Sequence, residues 1–326
     1  MTISQTVPRI PLVILGGRDR RGSELPDGTQ DRHALQGYKG VVLKVGGRPL
    51  IQVLIDRLRA VEVFSPIYIA GPRHVYQDFL TDNVRLIETD GSFGANLRAC
   101  VEATRVDGEY SEQLGFVTCD ILPDPVELRH AVDDLIEHSP VDFWMPQIRV
   151  PDEETSLGTS DWKPRYRLAP PGSGTAVPVL PGHLLVAAPS VLRMEFALQF
   201  LDQLYETRNR SLAYRRAALT KALLGSLLAQ DLRLLMRLKP PINLFDVVFW
   251  SLFAVARLMS GRATTTQMAR YIRRVFVVRS QRRRHGDRRG RVPLLDALSL
   301  ARDIDTLEEA REVAGEVALM EAESVS

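Results

Sequence analysis

Cysteine is scarce in this chain. Its 326 residues include two, Cys100 and Cys119. They form no CxxC, and no histidine pair stands near either at metal-ligand spacing. A disulfide framework and a structural zinc site are therefore set aside, and a reducing cytoplasm is the expected compartment. An apolar leader is lacking as well, since MTISQTVPRIP has no hydrophobic core of the secretory kind. No internal repeat is visible. Long uninterrupted apolar runs are also missing. The most apolar window, Ile242 to Met259, is broken by Asp246 and Arg257, and two charges within it argue against a membrane-spanning helix. At about 100° per residue, both charges fall on one stripe with Trp250 and Phe253. The window reads either as a buried core helix or as a helix lying in a membrane interface. Acids are almost absent between Arg270 and Arg291, where ten arginines accompany one aspartate, Asp287. The end of the chain, from Asp303 onward, is acidic instead. This asymmetry says more than the net charge of +2.

What is present suits a globular protein with a sizeable core: 45% hydrophobic and 25% charged residues. The first half alternates short apolar strands with amphipathic helices. Strands are expected at Pro11–Leu15, Pro66–Ala70, Val84–Glu88, Leu114–Thr118 and Val141–Pro146. Helices are expected at Pro49–Val61, Arg73–Thr81, Phe93–Thr104 and Asp124–Glu137. This rhythm predicts an α/β fold, a Rossmann-like and mostly parallel sheet covered on both faces. From Asp152 to Gly182 the composition turns to Pro, Gly, Ser and Thr, which predicts loops and a short hairpin. His183–Ala188 reads as a further strand. Helical patterns then dominate: Ser190–Glu206, Ser211–Leu228, Leu232–Leu238, Leu244–Met259 and Thr265–Arg274. A short strand is expected at Val275–Val278, an exposed loop at Gln281–Arg291 and a last helix at Asp305–Glu316. The organisation read from this is an α/β core over residues 8–189, an α-helical insertion with a basic loop over 190–291, and a segment returning to the core over 292–326.

Three motifs carry chemistry. Leu15-Gly16-Gly17 closes the first strand, with Arg21 and Lys39 following. Glycines at that place let backbone N–H groups approach a phosphate or base, or simply make a turn. Arg21 and Lys39 are the cations that would neutralise a triphosphate. The second motif is Thr118-Cys119-Asp120-Ile121-Leu122-Pro123. Its aspartate follows an apolar strand and so sits at the carboxyl edge of the sheet, where open α/β sheets bind ligands and where a hard Mg²⁺ ion finds a carboxylate. A helix-capping role is the plainer alternative, and Asp124 reads as the cap of the next helix. The third is Asp303-Ile304-Asp305-Thr306-Leu307-Glu308-Glu309, in which Asp305 or Thr306 caps the last helix, with Glu308 and Glu309 in its first turn. Gly91-Ser92-Phe93-Gly94-Ala95-Asn96 opens a helix after the third strand. There Asn96 offers both a donor and an acceptor.

The order of strand, Gly16-Gly17, Arg21, Lys39, Gly46-Gly47-Arg48-Pro49-Leu50 and helix resembles the start of a nucleotidyltransferase family. That family includes molybdopterin guanylyltransferase, molybdenum-cofactor cytidylyltransferases and sugar-phosphate nucleotidyltransferases. Asp19 stands at the place of the usual third glycine, and Tyr38 at that of the usual proline before the lysine. Lys39 is one residue further from Gly47 than is usual, which leaves Lys44 as a second candidate. Asp305 matches the second aspartate of the family's terminal motif, with Leu307 in place of proline. The Pro181-Gly182-His183 run resembles the family's Gly-His, although a lone histidine there is more often structural.

The resemblance implies a glycosyltransferase-A-like fold and nucleotidyl transfer from a nucleoside triphosphate to a phosphorylated acceptor, with release of pyrophosphate. It implies Leu15, Gly16, Gly17 and Asn96 for nucleotide binding, and Asp120 and Asp305 for Mg²⁺, with Mn²⁺ as an alternative. Arg21 and Lys39 would act on the leaving pyrophosphate. The acceptor would be a small molecule or a lipid head. A nucleotide-sugar glycosyltransferase is the rival reading. It usually shows Asp-x-Asp near the fourth strand, where Cys119-Asp120-Ile121 stands here. A non-catalytic, membrane-associated protein that kept the fold is the other rival. The arginine stretch reads as a solvated loop, or as a contact for an acceptor phosphate or anionic lipid. With so few aromatics interleaved, no nucleic acid is expected. A cytoplasmic protein with a peripheral membrane contact through the helical insertion completes the expectation.

Overall fold

A computed structural model describes residues 9–18, 37–151, 165–206, 225, 227–229, 231–237, 243–286 and 288–325. Its centre is β1 (Ile10–Leu15). Leu12 and Ile14 face one layer of helices and Val13 the other, and all three are fully buried. A strand buried on both faces has to read as a continuous apolar run, and IPLVIL does. Next come α1 (Lys39–Val42), β2 (Lys44–Val45), β3 (Arg48–Pro49) and α2 (Leu50–Ala60). Gly46 and Gly47 join β2 to β3 with φ of 58° and 79°. Two consecutive positive φ values are what a tight hairpin requires and what most side chains resist. The glycines of the Gly-Gly-Arg-Pro-Leu run thus make a turn.

The core continues through β4 (Phe64–Gly71), α3 (Arg73–Tyr76), β5 (Val84–Glu88), α4 (Phe93–Ala103), β6 (Leu114–Thr118), α5 (Pro125–His138) and β7 (Val141–Trp144). A small second sheet is then built from β8 (Gln147–Arg149), β9 (Tyr166–Leu168) and β10 (Val177–Pro181). β11 (Leu184–Ala187) returns to the main sheet. After α6 (Met194–Glu206), helix continues over 231–236, and α7 (Asn243–Met259), α8 (Thr265–Phe276) and α9 (Arg279–Arg284) follow. β12 (Arg289–Arg291), β13 (Leu294–Leu295) and α10 (Leu307–Val325) end the chain.

The seven-stranded sheet has the order β12-β7-β11-β6-β1-β4-β5. β1 runs parallel to β4 and β6, and β4 to β5, while β11 is antiparallel to both β6 and β7. The fold is therefore α/β with a Rossmann-like, mostly parallel sheet. α2 and α5 bury Leu54, Leu58, Leu128 and Leu135 against one face. α4 and α6 bury Leu97, Val101 and Leu198 against the other. The pairing of β1, β4, β5 and β6 puts all four carboxyl ends on one edge.

Three expectations fail. Val275 and Phe276 end α8, and Val277 makes only an isolated bridge to Leu192. The capping box of Thr264 and Gln267 starts that helix, and its amphipathic pattern carries it past the expected stop. The described part of Gln281–Arg291 is not a loop. Arg279–Arg284 is helical, and Arg289–Arg291 joins the central sheet parallel to β7. At Gly290 a Cβ would lie 2.2 Å from the Phe143 ring. A glycine lets the strand dock there, and a charge-rich run hides that pairing from any periodicity. Finally, α7 is not a buried core helix. Its Val247 is buried, but Phe245, Leu252, Phe253 and Met259 are exposed. Asp246 is what faces inward: it accepts from Trp250 Nε1 at 3.0 Å and pairs with Arg282 at 2.8 Å and Arg193 at 3.3 Å, while Arg257 on the same stripe is exposed. The expected helix Ser211–Leu228 lies largely outside the described residues.

Candidate functional site

The edge formed by the carboxyl ends of the parallel strands gathers most of the expected residues. Leu15 ends β1, and Gly16 and Gly17 follow it. A Cβ on Gly16 would come within 2.7 Å of the Tyr76 ring, and the Tyr76 hydroxyl donates to the Gly16 carbonyl at 2.6 Å. Gly16 thus has a packing reason of its own, whereas Gly17 is exposed with open space around it. Burial drives the Tyr76 hydroxyl far above its ordinary pKa, so it remains a hydrogen-bond donor. Arg21 lies outside the described residues.

Asn96 stands in the first turn of α4. Its Oδ1 accepts from Gly91 N at 2.9 Å, and Ser92 caps the helix by accepting from Ala95 N. That contact ties the loop after β5. Asp124 caps α5, accepting from Val126 N at 2.9 Å and Glu127 N at 3.0 Å.

Asp120 follows β6. Its Oδ1 is buried and has no hydrogen-bond partner among the described residues. A buried carboxylate oxygen without a partner is costly. Opposite it stand His183, at the start of β11, and Asp303. One ligand atom from each of Asp120, His183 and Asp303 lies within 4.8 Å of the others. His183 Nε2 is 2.9 Å from Asp303 Oδ1, and its Nδ1 is 3.1 Å from Thr118 Oγ1. The Nε2 contact is an ion pair when the ring is protonated, and the direction of the Nδ1–Thr118 hydrogen bond follows the tautomer.

The chain end is threaded into place by backbone bonds. His183 N donates to Leu300 O at 2.8 Å, and Ile304 N donates to Asp120 O at 2.7 Å. Ser299 Oγ accepts from Asp124 N at 2.7 Å. Ile304, Ala310 and Val313 then pack with Leu43, Leu50 and Leu122. Thr306 rather than Asp305 caps α10. Glu309 N donates to Thr306 Oγ1 at 3.1 Å, and Glu309 Oε2 accepts from Thr306 N at 3.1 Å.

Asp305 is thereby left to Lys39, whose Nζ donates to Asp305 Oδ1 at 2.5 Å, both side chains nearly buried. Burial pushes the Asp305 carboxyl above its ordinary range. Lys39 opposes this, and the charges of Asp303 and Asp120 add to it. α1 reaches this position because Gly40 sits against Cys119, where a Cβ would be 3.2 Å from the Cys119 Cβ. Lys44 is exposed on β2. Of the two candidate lysines, Lys39 is therefore the one inside the cluster. Cys100 and Cys119 are free and buried, and burial pushes both thiols up to about 12. Neither is a nucleophile at neutral pH.

Asp303 and His183 are the residues that sequence reasoning weighed least. Asp303 was legible only as the first acid of Asp-Ile-Asp, and His183 only as Gly-His before a strand. Asp305 was expected beside Asp120 as a metal ligand. The structure pairs it with Lys39 and sets Asp303 and His183 opposite Asp120. Chemically, the cluster holds three carboxylates against one ammonium, on a ligand-binding edge, with the buried Asp120 Oδ1 unsatisfied among the described residues. That fits a divalent cation. The oxygen donors suit Mg²⁺ or Mn²⁺, and His183 is spent on orienting Asp303 and Thr118.

No family model and no curated protein matches the chain. Among solved structures, it is similar to a mannose-1-phosphate geranyltransferase from Thermus thermophilus, with 19% identity over 67% of this chain and 64% of that one, at a TM-score of 0.39. It is similar to the bifunctional IspDF from Campylobacter jejuni, with 16% identity over 65% of this chain and 47% of that one, at 0.36. A third is a CMP:2-keto-3-deoxy-manno-octonic acid synthetase complexed with CTP, with 13% identity over 67% and 86%, at 0.39. The chain thus spans just under two thirds of the first and about half of the second. The α/β, Rossmann-like character of this chain rests on its own sheet, and likenesses at these scores add nothing to it.

Proposed function

We propose that the protein is a divalent-metal-dependent nucleotidyltransferase. The observation that carries this is the unsatisfied, buried Asp120 Oδ1 facing Asp303 and His183 at the carboxyl edge of the parallel strands. Asp120 and Asp303 would hold Mg²⁺, and His183 would keep Asp303 oriented. The ion, when bound, offsets charge on a nucleoside triphosphate. Gly17 offers open backbone beside β1 for a phosphate or base. Lys39, held by Asp305, would stabilise negative charge on the departing pyrophosphate. An oxygen of a phosphorylated acceptor attacks the α-phosphorus, one new P–O bond forms, and the bond to the β-phosphate bridge breaks. A phosphate acceptor is already an anion, so the step requires no general base.

Melting temperatures with ATP, GTP, CTP and UTP, with and without Mg²⁺, test this for wild type and Asp120→Ala. A Mg²⁺-dependent shift for one nucleotide, lost in the variant, supports the transferase and names its donor. No shift with any nucleotide sinks it.

One further observation favours a membrane contact. Phe245, Leu252, Phe253 and Met259 form an exposed apolar face on α7, with Arg257 and Arg262 exposed near its end. Among the described residues no helix is long and apolar enough to cross a membrane. This face would rest on an anionic lipid surface, with the apolar side chains inserted and the arginines at the headgroups.

A further inference from the structure

A second set of charges lies away from the Asp120 cluster and shares no residue with it. On the far edge of the sheet, α8, α9 and β12 surround a cavity of about 800 Å³. Nine arginines line it, against one carboxylate, Asp134. The volume falls in the ordinary range for small-molecule sites. β12 stands three strands from β6 in the sheet, roughly 14 Å at the usual strand spacing.

Arg149 pairs with Asp296 at 3.3 Å and Arg274 lies over the Trp250 ring, and the other seven arginines divide into two groups. Arg273, Arg282 and Arg291 are tied down. Arg273 pairs with the buried Asp142, Arg282 is 2.8 Å from Asp246, and Arg291 is 3.3 Å from Asp134. These pairs fix α8, α9 and β12 to the body and to each other. Arg270, Arg279, Arg283 and Arg289 also line the cavity and make no ion pair among the described residues. Their charges are left facing one another. In addition, the Nε groups of Arg149 and Arg291 are buried without a hydrogen-bond partner among the described residues. A solvated basic surface would explain the exposed heads, but not two buried donors left open on the same concave wall.

Guanidinium groups match phosphate oxygens in pairs, as planar forks with two parallel N–H donors. Several forks around one concavity call for several phosphates. The lining includes no aromatic side chain on which a base could stack, which argues against a nucleic acid strand. We propose that this cavity binds a small molecule, or the head of a lipid, carrying two or more phosphate groups. Arg270, Arg283 and Arg289 supply exposed forks, and Arg149 and Arg291 supply donors from the wall. The proposal stands independently of the transferase reading.

The test uses the full chain in EDTA, so that no metal-assisted binding at Asp120 contributes. Tripolyphosphate is titrated calorimetrically, and binding to phosphatidylcholine vesicles with and without phosphatidylinositol bisphosphate is measured by flotation. The variants are Arg270→Gln/Arg283→Gln/Arg289→Gln, whose side chains brace nothing in the fold, and Asp120→Asn. Wild type should bind tripolyphosphate, the phosphatidylinositol bisphosphate vesicles, or both. The arm that responds separates a free phosphate ligand from a lipid head. The triple variant should lose about ten- to a hundredfold in that affinity, and Asp120→Asn should lose none. The proposal is overturned if wild type binds neither probe, if the triple variant binds as wild type does, or if Asp120→Asn abolishes the binding.

Discussion

Replacing Asp120 by Asn should make the metal-free protein more stable while removing its response to Mg²⁺. The argument starts from charge. Asp120, Asp303 and Asp305 confront a single ammonium, that of Lys39, and the ligand atoms of Asp120 and Asp303 are at most 4.8 Å apart. Two like charges at that separation repel by about 3.5 kcal/mol at an effective dielectric constant near 20. Asp120 is half-buried, so water reduces this, and roughly 1–2 kcal/mol should remain. The asparagine amide also adds N–H donors that can reach a neighbouring carboxylate. A melting temperature about 2–5 °C above wild type in EDTA is expected. Wild type should then gain about 2.7 kcal/mol from Mg²⁺ and its nucleotide at a hundredfold excess over Kd, and the variant should gain almost nothing. Differential scanning calorimetry in EDTA and in Mg²⁺ reads both quantities. A variant less stable than wild type in EDTA, yet still stabilised by Mg²⁺, would refute the reasoning, because the carboxylate would then be a structural hydrogen-bonding group.

Other expectations follow from single contacts. Lys39→Ala should destabilise by about 3–5 kcal/mol, because it leaves Asp305 buried without its ammonium; urea unfolding at neutral pH measures this. Gly290→Ala should cost about 1–3 kcal/mol, since the new methyl meets the Phe143 ring, and near-ultraviolet circular dichroism should change with it. At Asp246, burial pushes the carboxyl up, but Arg282 and Arg193 outweigh it and hold the group below its ordinary pKa. The stabilisation from this depressed pKa is thus present above about pH 4 and lost as pH falls through the lower folded value. Asp246→Asn should be less stable than wild type at pH 7, and the gap should close in acid; a gap independent of pH would rule out the ion pairs as its cause. Leu252→Glu with Phe253→Glu should abolish flotation with anionic vesicles and leave the melting temperature within about 2 °C, both side chains being exposed.

The main sheet was legible in the sequence because each of its central strands announces itself locally. IPLVIL and LGFVT are apolar runs closed by glycine or an acid, and the helices between them keep a 3.6-residue period. Asp120 and the cap at Asp124 could be read from the same local grammar, as the first polar residues after a buried strand. What stayed hidden depends on partners far along the chain. Nothing near Asp303 says that it meets His183, 120 residues earlier, since that meeting is made by the bonds from His183 N to Leu300 O and from Ile304 N to Asp120 O. Nothing in a run of arginines says that it ends in a strand, since the Gly290 pairing is written in the shape of Phe143. The inward face of α7 was misread for a related reason. Hydrophobicity alone turns Phe245 and Leu252 toward a core, and only the paired Arg193 and Arg282 show why Asp246 faces inward instead.

That inversion links the two unusual surfaces of the helical half. With Asp246 turned inward toward arginines, Phe245, Leu252 and Met259, which lie roughly 100–140° round the helix from it, face outward. Arg282, which holds Asp246, stands on the cavity wall beside the unpaired guanidinium groups. The apolar helix and the basic cavity thus meet at one ion pair, Asp246 with Arg282. If an anionic surface meets this side of the molecule, Asp246→Asn should weaken vesicle binding although Asp246 itself touches no lipid, because the helix that presents Phe245, Leu252 and Phe253 would lose its anchor. Undiminished flotation of Asp246→Asn, alongside lost flotation of the Leu252→Glu/Phe253→Glu variant, would show that α7 keeps its orientation by apolar packing alone. The ion pairs would then serve only to place Arg282.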